Sequence, residues 1–474
     1  MATSDPNPRG APAATAAAVA AVAARAWRAA ARFGSPRRLR ATAAFLAGLA
    51  RRIRERRAEP RLTVAVDVDS LYETLTGVGW YLHELIAHLA QRDDLRLRLY
   101  GHRLIAAPGA GSPGQTAAGG GPGRTAAAGG AGQTRAAGGG LTKAPAVPLP
   151  GGPAVEHVTY AAPDGLVVPP WRADQLLRRA APFLVAADGN RVLFGPNYLL
   201  PPLFAFARGA RVVTVHDLGF ARLPWAVRPD TALALRERLE RTLLEADLLL
   251  TPSMAVAGEL VASGVAPSRV RPIHHGPGQH PPAAGPAALP RGTPAAYGLF
   301  VGTLEPRKNL ATLIEAWREL RRGGGAPPLV VCGPPGWKAR QLRRAMAAAE
   351  GEGWLVYQGY VAAGELAALY RGAAVVALPS LYEGFGLPVV EALAAGAPLV
   401  LSDIAVFHEV AGDAALYCPP RRADLWTQRL RQVLSDDGLR QDLAQRGRQR
   451  AARFDWRLAA NATADAFRDA AGRP

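Results

Sequence analysis

From Leu62 onward the chain alternates short apolar runs with stretches whose apolar residues recur every three or four positions. Residues 62–66 predict a buried strand, and residues 70–79 a loop carrying Gly77 and Gly79. Val78, Tyr81, Leu82, Leu85, Ile86 and Leu89 then hold the i, i+3, i+4, i+7 spacing of a helix over 78–89. Further strands are expected at 95–100, 191–194, 211–215 and 247–251, with a helix at 231–245. The same alternation restarts with strands at 298–301, 329–332, 354–358, 374–378 and 398–402. Helices are expected at 310–322, 339–350, 363–371 and 388–395, and helical structure over 425–453 and 456–471. Strands alternating with helices predict parallel sheets covered by helices, so the fold class is α/β with two doubly wound domains.

Three segments break the pattern. Residues 1–60 mix Ala-rich runs with arginine; residues 106–152 are mostly Gly, Ala, Thr and Pro with too little apolar surface to pack; residues 276–295 are rich in Pro, Gly and Ala. The expected organisation is a basic extension (1–60), a first domain (61–275) with a flexible insertion (106–152) and a linker (276–295). A second domain (296–455) and a C-terminal helix (456–474) follow.

Composition adds limits. The two cysteines, Cys332 and Cys418, each sit in an apolar run, which argues against a disulfide framework or thiolate metal site and for a reducing, cytoplasmic setting. The net charge is +18, and residues 1–60 supply twelve arginines against Asp5, Glu55 and Glu59. No nucleic acid partner is expected, because arginine usage is high throughout and the excess belongs to the extension. No apolar run there reaches the length of a membrane span. The extension reads either as a basic segment lying on the inner, anionic membrane surface or as a disordered tail.

The chemistry gathers in three places. In residues 379–402 an apolar strand, a glycine-bearing loop with Glu383, and a helix opening at Pro388 with Glu391 in its first turn would offer two carboxylates to hydroxyls. The amides of Gly386, Leu387 and Val389 would face anionic groups. In Glu305-Pro306-Arg307-Lys308-Asn309 two adjacent cations precede a helix, a site for a diphosphate or else a basic surface loop. His216 ends an apolar strand, where open α/β sheets bind ligands but where a structural histidine is equally at home. Gly77-Val78-Gly79 reads as a phosphate-facing loop or an ordinary tight turn. Asp67-Val68-Asp69 has the spacing of a divalent-metal motif, but such pairs are common at strand ends, and no metal is expected.

The run Glu383, Gly384, Phe385, Gly386, Leu387, Pro388, Glu391, Ala392, Gly396 and Pro398 resembles the E-x7-E signature of retaining glycosyltransferases with two Rossmann-like domains, a group that includes bacterial mannosyltransferases. The Glu-Pro-Arg-Lys-Asn string, the His216-Asp217 pair, the turn at Asn197 and Thr251-Pro252-Ser253 are similar to further elements of that family. The resemblance implies the GT-B fold, with its domains facing across a cleft. It implies Glu383 on donor-sugar hydroxyls, Glu391 on the ribose, Arg307 and Lys308 on the diphosphate, and His216 near the sugar. Gly77 and Gly79 would lie by the diphosphate or acceptor, Phe385, Gly386 and Leu387 by the donor, and Val361, in Gln358-Gly359-Tyr360-Val361, against the base. The partners implied are a nucleotide sugar, most plausibly GDP-mannose, and a glycan or lipid-linked acceptor, without a cofactor. A related sugar phosphorylase, a nucleotide-sugar epimerase or an inactive membrane-associated scaffold would share the fold.

Overall fold

The computed structural model describes residues 47–48, 50–51, 53–71, 77–101, 150–158, 181–278, 288–324 and 326–472. Most of the expected basic extension, nearly all of the Gly/Ala insertion and half of the linker lie outside these residues. The chain divides into two compact units. One comprises Met1–Leu75, Ala90–Phe194 and Leu200–Gly209; the other comprises Thr76–Leu89, Gly195–Leu199 and Ala210–Pro474.

In the first unit, strands β1 (Leu62–Asp67), β2 (Leu95–Tyr100), β3 (Val155–His157) and β4 (Val192–Gly195) run parallel in the order β3-β2-β1-β4. Val64 is paired with Leu97 on one side and Val192 on the other. A strand covered on both faces has no reason to alternate, which is why β1 reads as one apolar run. The exception in this core is Arg98, which is buried yet satisfied. Its guanidinium donates to the carbonyls of Asp188 and Arg56 and to the side chains of Asn190 and Glu156.

The second unit opens with helix α1 (Gly77–Leu89). It continues through β5 (Ala210–Thr214), α2 (Gly219–Arg222), α3 (Pro229–Glu245), β6 (Leu248–Thr251), α4 (Met254–Ala262) and β7 (Val270–Pro272), with β5, β6 and β7 parallel in that order. Six further parallel strands follow: β8 (Gly298–Val301), β9 (Leu329–Cys332), β10 (Leu355–Gly359), β11 (Val375–Leu378), β12 (Leu399–Ser402) and β13 (Ala415–Cys418). Their order is β10-β9-β8-β11-β12-β13. Counted from β8 this is 3-2-1-4-5-6, the Rossmann order, and the winding reverses between β8 and β11. Around this sheet lie α5 (Leu310–Arg322), α6 (Arg340–Gly351), α7 (Ala363–Gly372), α8 (Leu387–Ala395), α9 (Ala405–Ala411), α10 (Ala423–Ser435) and α11 (Asp437–Ala451). The last helix, α12 (Trp456–Ala471), packs on α1 and β5. Trp317 and Trp426 are wholly buried in this core. Gly298 opens β8 because a Cβ there would lie 2.0 Å from the Trp317 ring.

Several expectations are corrected. Gly77 and Gly79 are not in a loop: α1 begins at Gly77, so both lie in its first turn, where the buried face is already forming. Helix α8 begins at Leu387, after Gly386 in the left-handed conformation (φ 101°), one residue before the expected start. Glu391 is therefore beyond the first turn. The helical stretch over 425–453 breaks at Asp436, whose carboxylate caps α11 by accepting from the Leu439 amide at 2.9 Å. Among the described residues no helix is long and apolar enough to cross a membrane.

Candidate functional site

Ligands of open α/β sheets bind beyond the carboxyl ends of the strands, where the winding reverses. Here that point lies between β8 and β11, and the segments following these two strands carry Arg307, Lys308 and Glu383. A short 3-10 turn, Pro306–Lys308, ends on Asn309 with φ 54°. Asparagine tolerates this left-handed conformation better than most residues. Its amide donates to the carbonyls of Pro379 (3.0 Å) and Pro420 (2.6 Å), and its oxygen accepts from Thr312 Oγ1 (2.9 Å). The turn is thereby fixed to the end of β11, with both cations held just ahead of α5.

Glu383 receives them. Its Oε2 accepts from Arg307 Nη1 at 2.6 Å, and its Oε1 from Lys308 Nζ at 2.6 Å and Ser380 Oγ at 2.7 Å. Arg307 also pairs with Glu305 at 2.7 Å and donates to the Tyr382 carbonyl at 3.0 Å. Only 9% of Glu383 is exposed. Burial alone would raise its pKa, but the charges of Lys308 and Arg307 outweigh that and hold it at about 2. At Glu305 burial wins and the pKa is raised despite Arg307. Burial disfavours the Arg307 cation, yet Glu383, Glu305 and Asp217 keep it firmly protonated. The cluster thus holds two fixed cations against a committed anion.

The loop after β5 packs on the same segment. Leu218 N–H donates to Tyr382 Oη at 2.9 Å, and Ser253 Oγ donates to the Gly384 carbonyl at 2.7 Å. Gly384 sits so close to His216 that a Cβ would lie 1.9 Å from the His216 carbonyl oxygen. The His216 ring is anchored through Nε2 to the Pro196 carbonyl at 2.8 Å, so Nε2 carries the proton and Nδ1 is left as the acceptor of the neutral ring. Burial lowers its pKa, against the opposing pull of the Pro196 carbonyl and Asp217. Its ring stands edge-on to Tyr81 of α1.

The remaining expected residues are distributed as follows. Gly77 faces Leu387, with 3.6 Å from its would-be Cβ to Leu387 Cδ1, and Gly79 is buried in α1. Phe385 belongs to an aromatic group with His274, His275 and Phe454. The Val389 amide is not a donor for a ligand: it closes the first turn of α8 onto the Gly386 carbonyl at 2.8 Å. Gly386 and Leu387 remain as the candidate amides. Glu391 does not join the ion cluster. Its Oε2 accepts from Tyr370 Oη at 2.8 Å and its Oε1 lies against Gly278, at a cavity of about 100 Å³ lined also by Pro277, Leu366 and Ala394. Val361 is 8% exposed and packs in the core of the six-stranded sheet. Asn197 forms an isolated bridge with Leu199. Among the described residues no group of three or more His, Cys, Asp or Glu could hold a metal ion. Ser380 and Tyr382 hold the site together without a role readable from sequence, and Ser253 and Asn309 do so from within the strings Thr251-Pro252-Ser253 and Glu-Pro-Arg-Lys-Asn. The only signal for Asn309 was its place in the Glu-Pro-Arg-Lys-Asn string.

The family profile "Glycosyl transferases group 1" matches residues 287–450, which span the ion cluster and the six-stranded sheet. O-antigen chain mannosyltransferase B of Escherichia coli is 31% identical over 292 residues, 58% of this chain and 74% of that protein. O-antigen chain mannosyltransferase RfbU of Salmonella typhimurium is 32% identical over 140 residues, 29% of this chain and 38% of that protein. In fold, the chain is similar to a sucrose-phosphate synthase from Thermosynechococcus elongatus. The TM-score is 0.58 at 18% identity, covering 86% of this chain and 99% of the other. The chain belongs to the glycosyltransferase group 1 family and is a glycosyltransferase with the GT-B fold of two parallel-sheet α/β domains.

Proposed function

We propose that the chain transfers mannose from GDP-mannose to a hydroxyl of a glycan or lipid-linked acceptor, with retention at the anomeric carbon, without a metal ion, in O-antigen-type polysaccharide synthesis. The observation that carries this reading is the joining of Arg307, Lys308 and Glu383 at the winding reversal between β8 and β11. The mannosyltransferase names of the relatives favour mannose over other hexoses.

Each residue has a chemical task in this reading. The Lys308 ammonium has three donors and Arg307 a planar fork of five; Glu383 takes part of each set, and the donor diphosphate takes others. As the sugar–oxygen bond breaks, negative charge grows on the diphosphate, and fixed cations in a poorly hydrated site stabilise it without reorganising. Glu383, ionised and held rigidly, accepts from the sugar hydroxyls. Glu391, held by Tyr370, accepts from the ribose. The acceptor oxygen bonds to the anomeric carbon on the face the phosphate leaves, and its proton passes to the departing phosphate oxygen. The carboxylates act as clamps, which separates this arrangement from the paired acid and nucleophile of a glycosidase.

The test is a panel of nucleotide sugars screened by the rise in melting temperature, which reports selective binding to the folded chain. GDP-mannose is expected to give the largest rise, abolished in Lys308→Ala. A larger rise with a uridine donor would overturn the assignment of base and sugar.

A further inference from the structure

Trp225 and Trp337 are half exposed, at 50% and 42%, although the Trp337 indole and the Trp225 backbone are both held by hydrogen bonds. Trp337 Nε1 donates to the Ala226 carbonyl at 2.5 Å, while Lys338 Nζ donates to the carbonyls of Trp225 (2.6 Å) and Val227 (3.0 Å). Two successive side chains thus hold three successive carbonyls. To reach them Lys338 takes a left-handed backbone (φ 53°), an uncommon state for a residue with a side chain. The guanidinium of Arg421 lies over the Trp225 ring, 5.8 Å from its centroid.

These side chains stand close in sequence and contact to the ion cluster. Residues 224–226 form a turn just beyond His216 and α2. The segment bearing Trp337 is tied to the one bearing Arg307 by the Leu304–Pro335 bridge and by Gly336 N–H donating to the Leu304 carbonyl at 3.2 Å. Arg421 follows Pro420, whose carbonyl holds Asn309. These ties keep two half-exposed indoles near Arg307 and Lys308; Arg421 lies over the Trp225 ring, and the indole surface left to solvent suits the C–H side of a pyranose ring.

We propose that Trp225 and Trp337 form a stacking subsite for a neutral hexose unit of the acceptor glycan, remote from the unit being extended. The proposal rests on the transferase reading above. The acceptor is the fitting occupant because the nearby charges, Lys338 and Arg421, are turned onto carbonyls and the Trp225 ring, while the diphosphate of the donor belongs with Arg307 and Lys308.

The test compares binding of mannotetraose and methyl α-mannoside by calorimetry to the full chain and to Trp225→Ala, Trp337→Ala and Trp225→Tyr, each checked for an unaltered melting curve. The wild type is expected to bind the tetrasaccharide about tenfold more tightly than the monosaccharide. Both alanine variants should bring that ratio to about one, and Trp225→Tyr, which keeps an aromatic face, should preserve most of it. Three results would overturn the subsite: a wild-type ratio of one, a ratio retained in both alanine variants, or its loss in Trp225→Tyr as fully as in Trp225→Ala. The expected binding pattern in a protein that moves sugar from no nucleotide donor would instead overturn the transferase reading and leave the glycan subsite standing.

Discussion

Replacing Glu383 by glutamine keeps the shape of the side chain and removes its charge from between Arg307 and Lys308. In the wild type the carboxyl pKa falls from 4.5 to about 2 on folding, which corresponds to about 3 kcal/mol of stability at pH 7. A folded pKa below the unfolded one means this contribution is complete above pH 4.5 and is lost as pH falls toward 2. Glu383→Gln should therefore be about 3 kcal/mol less stable at pH 7, and the gap should narrow as pH falls below 4.5. Urea unfolding at pH 7, 5, 4 and 3.5, followed by tryptophan fluorescence, reads both effects. If Glu383 holds the donor sugar as proposed, transfer should fall about a hundredfold or more in kcat/KM, a change of about 2.7 kcal/mol. GDP alone should bind at least as tightly as before, because the cations no longer share their charge with a carboxylate. A variant as stable as wild type at pH 7, a gap that does not change with pH, or weakened GDP binding would refute this account of the cluster.

Lys308→Ala should weaken GDP binding and lower kcat by about 10²- to 10³-fold, measured by GDP release. Gly384→Ala would place a Cβ 1.9 Å from the His216 carbonyl oxygen; a loss of about 1–3 kcal/mol in unfolding free energy and a large drop in kcat/KM are expected, and wild-type behaviour would contradict the packing described. Asn309→Ala removes the bonds to Pro379 and Pro420 and puts a Cβ-bearing residue without local hydrogen bonding in the left-handed region, a cost of about 2 kcal/mol by urea unfolding. Because burial lowers the His216 pKa below 6.5, the unfolded chain binds its proton first, and stability should fall as pH drops below 6.5. His216→Gln should make that fall shallower without removing it, because burial also lowers His275 and His157. Activity unchanged by a metal chelator is expected if transfer runs without a metal ion, as proposed, and loss restored by a divalent ion would contradict it.

The two series of strands and helices were legible because each core strand is a run such as residues 62–66 or 375–378 with little internal polarity, and because helices such as α1 and α5 keep one apolar face. Short elements such as β3, β7 and α9 were not, since three to seven residues show no period. Arg307, Lys308 and Glu383 could be named from sequence, but their joining could not, because it depends on β8 and β11 being neighbours although β9 and β10 lie between them in the chain. The same non-local pairing hid the tasks of Ser380 and Tyr382, and the bond that Ser253 makes to the Gly384 carbonyl. The amide of Val389 was misjudged because one left-handed glycine moved the start of α8 by a residue.

Whether mannose moves with retention is read by incubating the chain with GDP-mannose and a mannoside acceptor and following the new glycosidic linkage by proton NMR as GDP is released. GDP and an α-linked mannose should form in equal amounts, both about 10²- to 10³-fold more slowly in Lys308→Ala. A β-linked product, or no transfer from any nucleotide sugar, would contradict the proposed function.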